Sequence, residues 1–249
     1  MKLVATQDDR DLGAMLRGLL ARDADPWDAL AAGGILGLGI AEEYGGSGGS
    51  LAELGVFARE GGRALCPFRV YSTVFAAQAV YMLGGDASRH RWLPDLAVGR
   101  CSATTALWNA NDAADCTPAL RADREPDGSW RLTGTADFVN DAETADLMVV
   151  SGMDASGRTF GFVANLRGPG VAVRPLTLMG GHAAACVRFD EVMVDDALND
   201  GRPLDRDQLR RAANAAIALS SLDLVGVGEA VLDRTVAYTT MRHQFGRPI

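Results

Sequence analysis

Two switches of hydrophobic periodicity constrain the fold of this chain more than any other feature. Apolar residues recur at helical spacing over the first part of the chain and in short strand-length runs from Ser102 onward. They return to helical spacing after Asn199-Asp200-Gly201-Arg202-Pro203. A chain that passes from helices to strands and back to a helix reads as α+β, with the strands gathered in a unit of their own.

Start and stop signals set the element boundaries. Thr6 followed by Asp9 predicts a helix start, ahead of Leu12, Met15, Leu16, Leu19 and Leu20 at helical spacing. Asp25-Pro26 predicts a second start, with proline at the first helical position, where its missing N–H costs nothing. The run Ala41-Glu42-Glu43-Tyr44-Gly45-Gly46-Ser47-Gly48-Gly49 is a break that no helix crosses. Ser50 and Glu53 then form a capping box, with Leu54, Phe57, Ala58 and Leu65 as the buried stripe. A further helix is expected over Thr73 to Leu83, and a short one leads into Arg91-Trp92-Leu93-Pro94.

In the middle region Asp127-Gly128 predicts a hairpin turn between Leu120–Arg124 and Trp130–Thr135. Asp154-Ala155-Ser156-Gly157 separates Leu147–Ser151 from Thr159–Ala164, and Val171–Pro175 and Cys186–Val194 complete the set. Short strands at regular spacing predict a small antiparallel barrel or sandwich. Asp205 and Gln208 mark the start of a helix that can run to Met241. A helix of that length is seldom self-sufficient and usually belongs to a bundle. The expected organisation is a helical domain over 1–101, an antiparallel β-barrel over 102–198, and the first part of a C-terminal helical bundle over 199–249.

Composition narrows the function classes. The formal net charge is -8, which argues against a nucleic-acid binder, since that function needs a basic field to neutralise phosphates. A small, locally positive site for an anionic ligand stays open. The N-terminus carries no apolar core of signal-peptide length, and no run approaches the roughly 20 apolar residues that span a bilayer, so a cytoplasmic protein with no membrane partner is expected. Cys66, Cys101, Cys116 and Cys186 are scattered, without zinc spacing, and read as single thiols in a reducing compartment. His90, His182 and His243 are isolated from carboxylates at ligand spacing, so no metal is expected.

Five segments, in order along the chain, carry a family resemblance. Gly37 to Gly48 resembles the acyl-CoA dehydrogenase "PEEYGGSG" segment, and Glu60-Gly61-Gly62-Arg63-Ala64-Leu65-Cys66-Pro67 is similar to "EELGRALAP". Arg91 to Gly99 resembles "RWLPxLAxG", Val187 to Val194 resembles "VxFDDVxVP", and Tyr238, Arg242, Gln244, Phe245 and Gly246 fit "YxxxRxQFGxPI". The resemblance implies an N-terminal helical domain, a middle β-barrel and a C-terminal four-helix bundle. It also implies FAD as cofactor and an acyl-CoA thioester as substrate, dehydrogenated between Cα and Cβ. By the same resemblance Arg242, Gln244 and Phe245 reach an FAD held mainly by a neighbouring subunit. An arginine suits that task because its planar fork can hold two phosphate oxygens at once.

The chain also departs from the family pattern. Where members that hold their own flavin carry "LTEPxAGSD", this sequence has Ala106-Leu107-Trp108-Asn109-Ala110-Asn111-Asp112-Ala113-Ala114-Asp115, with Trp108 in the place of the threonine. Where they carry "KxWIT", it has Ala136-Asp137-Phe138-Val139-Asn140. Phe138 retains an aromatic face and Asn140 an amide donor, so both stay candidate flavin contacts together with Trp108. Met179-Gly180-Gly181 falls where the family has a loop beside the flavin, and a plain turn is the alternative reading. The α-proton must go to a carboxylate as hydride leaves to the flavin. One branch of the family places that glutamate at the position of Ala216, and the other places it beyond Ile249. Glu229 lies nearby and reads as a helix residue facing solvent or another helix.

Three roles remain open at this level. The leading one is the FAD-sharing, catalytically reduced partner in a hetero-oligomer with a homologous subunit, as in the heteromeric acyl-CoA dehydrogenases of sterol-degrading bacteria. The second is a self-sufficient flavin dehydrogenase or monooxygenase of the same fold. The third is a non-catalytic structural subunit.

Overall fold

The computed structural model describes residues 6–21, 25–110, 116–179, 182–195 and 197–249. The chain opens with α1 (Gln7–Leu20), α2 (Trp27–Ala32), α3 (Leu51–Ala64), α4 (Phe68–Leu83) and α5 (Asp86–Ala97). Capping boxes at Thr6/Asp9 and Ser50/Glu53 start α1 and α3 as the sequence predicts. Pro26 sits one position earlier than expected, as the N-cap of α2. Helix α4 starts at Phe68 rather than Thr73, directly after Pro67. It is buried on several faces, with Val70, Tyr71, Val74, Ala77 and Val80 all inside, so apolar periodicity alone marks its start poorly.

Among the described residues seven strands follow: β1 (Ala103–Ala106), β2 (Leu120–Arg124), β3 (Trp130–Asn140), β4 (Leu147–Met153), β5 (Thr159–Asn165), β6 (Val171–Leu176) and β7 (Ala184–Val194). They do not close into an antiparallel barrel. They form one mixed sheet in the order β1-β4-β2-β3-β7-β6, with β5 paired to β4 off that path. The departure comes from β4, which has three partners. Strand β1 runs parallel to it over 147–150, β2 runs parallel over 152–153, and β5 runs antiparallel to it. The chain reaches β4 from β1 only after passing through β2 and β3, the long connection that a parallel pairing requires. Its short Ala-Thr-Thr-Ala sequence gave no strand signal.

Aromatic packing holds the sheet core together. Trp130 lies 4.5 Å from Phe160 and 5.4 Å from Phe162 by ring centroid, with Leu132, Val187 and Phe189 buried around them. A second core joins Ala76 and Val80 of α4 and Leu93 of α5 to Ala103 of β1, Val149 of β4, and Leu209 and Ala212 of the last helix. This junction brings the end of β1 between two helices.

That last helix, α6 (Arg206–Met241), starts at a capping box of Asp205 and Gln208 and runs 36 residues. It lies on α3 through glycines. A Cβ at Gly226 would meet the carbonyl oxygen of Arg59 at 1.9 Å, and one at Gly62 would meet that of Asp223 at 2.1 Å. Ile217, Leu224, Val231, Leu232, Val236 and Met241 are exposed along α6. By length and composition α6 is apolar enough to cross a membrane, contrary to the expectation from the sequence, although it lies against α3 here. A short hairpin, β8 (His243–Gln244) and β9 (Arg247–Pro248), follows it.

Candidate functional site

The segment leaving β1 enters the gap between α4 and α6. A narrow cavity there is lined by Phe75, Gln78 and Ala79 of α4, by Thr105, Leu107 and Trp108, and by Ala212, Ala215, Ala216 and Leu219 of α6. The α6 residues recur at the three- and four-residue intervals that place side chains on one helix face. The open space is ≈ 20 Å³, room for about one water. Its polar groups are largely engaged already. Ser151 Oγ donates to the Leu107 carbonyl at 2.5 Å, and Gln78 Nε2 donates to the Gly39 carbonyl at 2.9 Å. Among the described residues lining the cavity there is no carboxylate. Trp108 and Ala216, separately singled out in the sequence, therefore meet at one place.

Phe138 and Asn140 lie at the end of β3. The register with β7 shifts between Ala136 and Val139, and Phe138 takes a left-handed conformation (φ 54°) that turns its ring out, 57% exposed. The Asn140 carbonyl accepts from Thr104 Oγ1 at 2.6 Å, which ties this turn to β1 just ahead of the cavity. The next residue, Asp141, is buried and accepts from Ser72 Oγ at 2.7 Å, while its N–H donates to the Ala183 carbonyl. Burial pushes the Asp141 carboxyl above the usual carboxylate range, against the opposing pull of the Ser72 hydroxyl and the Arg69 charge. Sequence reading missed the Ser72–Asp141 pair, since its partners are far apart in the chain and neither sits in a motif. Met179 is fully exposed, and Asn111 to Asp115, Gly180 and Gly181 lie outside the described residues.

Arg242, Gln244 and Phe245 stand apart from these groups. Arg242 caps the C-terminus of α6, with its guanidinium 5.6 Å from the Tyr238 ring centroid and bonded to the Tyr238 hydroxyl. Phe245 and Gly246 both have positive φ, at 52° and 78°, the requirement of a two-residue hairpin turn. That turn leaves Phe245 fully exposed at the tip. Within one continuous helix, Ala216 and the Arg242 cap are separated by about 39 Å at 1.5 Å per residue. The arginine motif and the chain's own cavity are thus two separate places.

Glu229 is not a free base. Its carboxylate accepts from Arg59 Nε at 3.0 Å and from Arg63 Nη1 at 3.0 Å, and the Arg59 contact above all holds its pKa below the usual range. Each histidine bonds locally or packs on an aromatic ring: His90 Nδ1 lies 3.0 Å from the Asp86 carbonyl, His243 Nδ1 lies 3.0 Å from that of Met241, and His182 packs edge-on to Phe68.

Residues 16–100 match the family model described as acyl-CoA dehydrogenase, N-terminal domain. The acyl-CoA dehydrogenase FadE12 of Mycobacterium tuberculosis is 26% identical over 235 residues, covering 87% of this chain and 58% of that protein. The chain is similar to the acyl-CoA dehydrogenases, over residues 16–100 by the family model and over most of its length by this relative. It spans somewhat more than half the length of that relative.

Solved acyl-CoA dehydrogenase structures share the fold. A glutaryl-CoA dehydrogenase from Mycobacterium smegmatis in complex with FADH2 superposes with a TM-score of 0.85 at 21% identity, covering 98% of this chain and 68% of that one. The ChsE4-ChsE5 complex from Mycobacterium tuberculosis superposes with a TM-score of 0.84 at 24% identity, covering 100% of this chain and 71% of that one. Several family segments are joints of the fold. Glu42–Tyr44 forms a 3₁₀ turn, and the Tyr44 hydroxyl donates to Asp86 at 2.7 Å across to α5. The Val187–Val194 segment lies in β7, the partner of β3.

Proposed function

We propose that this chain is the FAD-sharing, catalytically reduced subunit of a heteromeric acyl-CoA dehydrogenase that carries out α,β-dehydrogenation of an acyl-CoA thioester. The observation that carries this reading is the separation of the exposed Arg242–Phe245 hairpin from the chain's own cavity. An arginine at a helix end, about 39 Å from that cavity, is placed to act on something other than a ligand in that cavity.

The isoalloxazine does not fit the cavity as folded, because the open space there is ≈ 20 Å³ and Trp108 is among its walls. FAD supplies the hydride acceptor when it is bound. In this reading Arg242, Gln244 and Phe245 would help hold an FAD bound mainly by a homologous partner, the arginine through its charge on phosphate oxygens. Phe138 and Asn140 are the groups of this chain placed to touch a flavin at the sheet end. With Ala216 at the position of one branch's base, and no carboxylate among the described lining residues, the α-proton would go to a group outside this set.

Support also comes from the structural neighbour described as a complex of two differently named chains. The test compares the absorption spectrum of the purified chain with that of the chain co-expressed with a homologous partner. A colourless isolated chain and a yellow complex are expected. Stoichiometric FAD and dehydrogenase activity in the isolated chain would contradict the proposal.

A further inference from the structure

We propose that Trp108 is a plug: its indole fills this subunit's own cleft between α4 and α6 and closes it to any ligand larger than a water. The geometry of the three walls leads there. On α6 the cleft is faced by Ala212, Ala215 and Ala216, whose methyl groups leave a trough that Leu219 closes at one end. On α4 the wall is Phe75 and Ala79. The third side is the segment after β1, and Trp108 is the largest side chain that it delivers.

Trp108 packs against the core that joins α4, α5, β1 and α6, and the space left beside it is ≈ 20 Å³. A trough of small residues with an aromatic ring laid along it is how facing surfaces interdigitate at crystal-like density.

The plug is also anchored. The Leu107 carbonyl, one residue before the indole, accepts a 2.5 Å hydrogen bond from the fully buried Ser151 hydroxyl of β4. Backbone fixed this close to the side chain does not let the ring swing out with the segment. Gln78, the polar side chain on the α4 wall, is held by the Gly39 carbonyl, so it offers little to a polar ligand. Trp108 is half-buried, so without the indole the cleft becomes an apolar pocket open at its rim, and apolar space of that kind takes up benzene-sized molecules. This inference deepens the proposed function, since it names the side chain that keeps ligand out of this subunit's cleft. It stands on packing alone, however, and is tested separately.

The experiment uses the full 249-residue chain with Trp108→Ala and Trp108→Leu, and indole as the probe. Trp108→Ala is expected to lower Tm by roughly 4–10 °C. Millimolar indole should then raise its Tm saturably, while the wild-type Tm stays unmoved and Trp108→Leu shows a smaller response. If Trp108→Ala does not fold, soluble yield with indole present during expression, together with the Leu variant, gives the same reading. Unchanged stability on truncation, or indole that stabilises the wild type as much as the variant, or none of the variants, overturns the plug. FAD and butyryl-CoA titrations of the partner complex, wild type and carrying Trp108→Ala, separate the two proposals. Indole uptake by the variant alongside a wild-type complex that takes up no FAD leaves the plug standing and counts against the function proposed above.

Discussion

Trp108 and Ala216 line the same cavity, the indole arriving from the segment after β1 and the methyl from α6. Position 216 therefore borders an apolar, largely filled space with no cation among its described lining residues. Restoring a carboxylate there by Ala216→Glu should destabilise the chain by roughly 1–3 kcal/mol, because a charge must be desolvated without a partner. Chemical denaturation at neutral pH measures this. A variant as stable as the wild type would show that the side chain escapes to solvent and that the cavity is looser than described.

Two glycines on α6 should respond in opposite directions. Gly226→Ala would set its Cβ 1.9 Å from the Arg59 carbonyl oxygen, whereas Gly228 has nothing within 4 Å. Helix propensity favours alanine by about 0.8–1.0 kcal/mol in both cases, but at Gly226 overpacking against backbone costs more. Gly226→Ala is expected to lose roughly 1–3 kcal/mol, and Gly228→Ala to gain up to about 1 kcal/mol. Equal effects in a denaturation experiment would contradict the close α3–α6 approach.

The Arg59, Arg63, Glu229 and Asp233 cluster fastens the same contact. Hydrogen bonds from Arg59, then Arg63, hold Glu229 below its usual pKa despite some desolvation. A depressed carboxylate contributes stability above its unfolded pKa, and that contribution is lost as pH falls through the folded value. Glu229→Gln should therefore cost up to roughly 1 kcal/mol at neutral pH and low salt. The difference should close on acidification below the ordinary glutamate range, near 4, and in high salt. A cost independent of pH and salt would point to packing rather than charge.

Asp141 should show the reverse dependence. Its carboxyl is raised by burial, so the folded state holds the proton more tightly, and its contribution to stability is lost as pH rises through the folded value. Asp141→Asn keeps an acceptor for Ser72 and removes the buried charge. Compared with wild type, the variant should fare better at pH 7 than near pH 4. A loss of more than about 1 kcal/mol at pH 7 would mark the carboxylate as a required partner.

What the sequence made legible was local. The capping pairs Thr6/Asp9, Ser50/Glu53 and Asp205/Gln208 all close as predicted, because each signal and its partner lie within one helical turn. The strands after β1 fall where alternation and turn residues placed them. The barrel expectation did not hold, because the parallel entry of β1 beside β4 depends on a crossover that leaves no mark in a four-residue strand. The hairpin presenting Phe245 was written in Phe-Gly between Gln244 and Arg247 but read only as a binding motif. At the site, Trp108 and Ala216 were singled out for different reasons, and only the packing of α4 against α6 shows that they share one cavity. Ser72 and Asp141, 69 positions apart, had no local signal at all.

The most direct test of the role in trans is the FAD affinity of the partner complex with Arg242→Ala. Losing a charge-assisted contact to phosphate should weaken binding about 10- to 100-fold, with Arg242→Lys partly restoring it and Phe245→Ala adding a smaller loss. Flavin fluorescence during titration reads all three. Unchanged FAD affinity in Arg242→Ala, in a complex that still assembles, would contradict the cofactor-sharing role and leave this subunit as a scaffold.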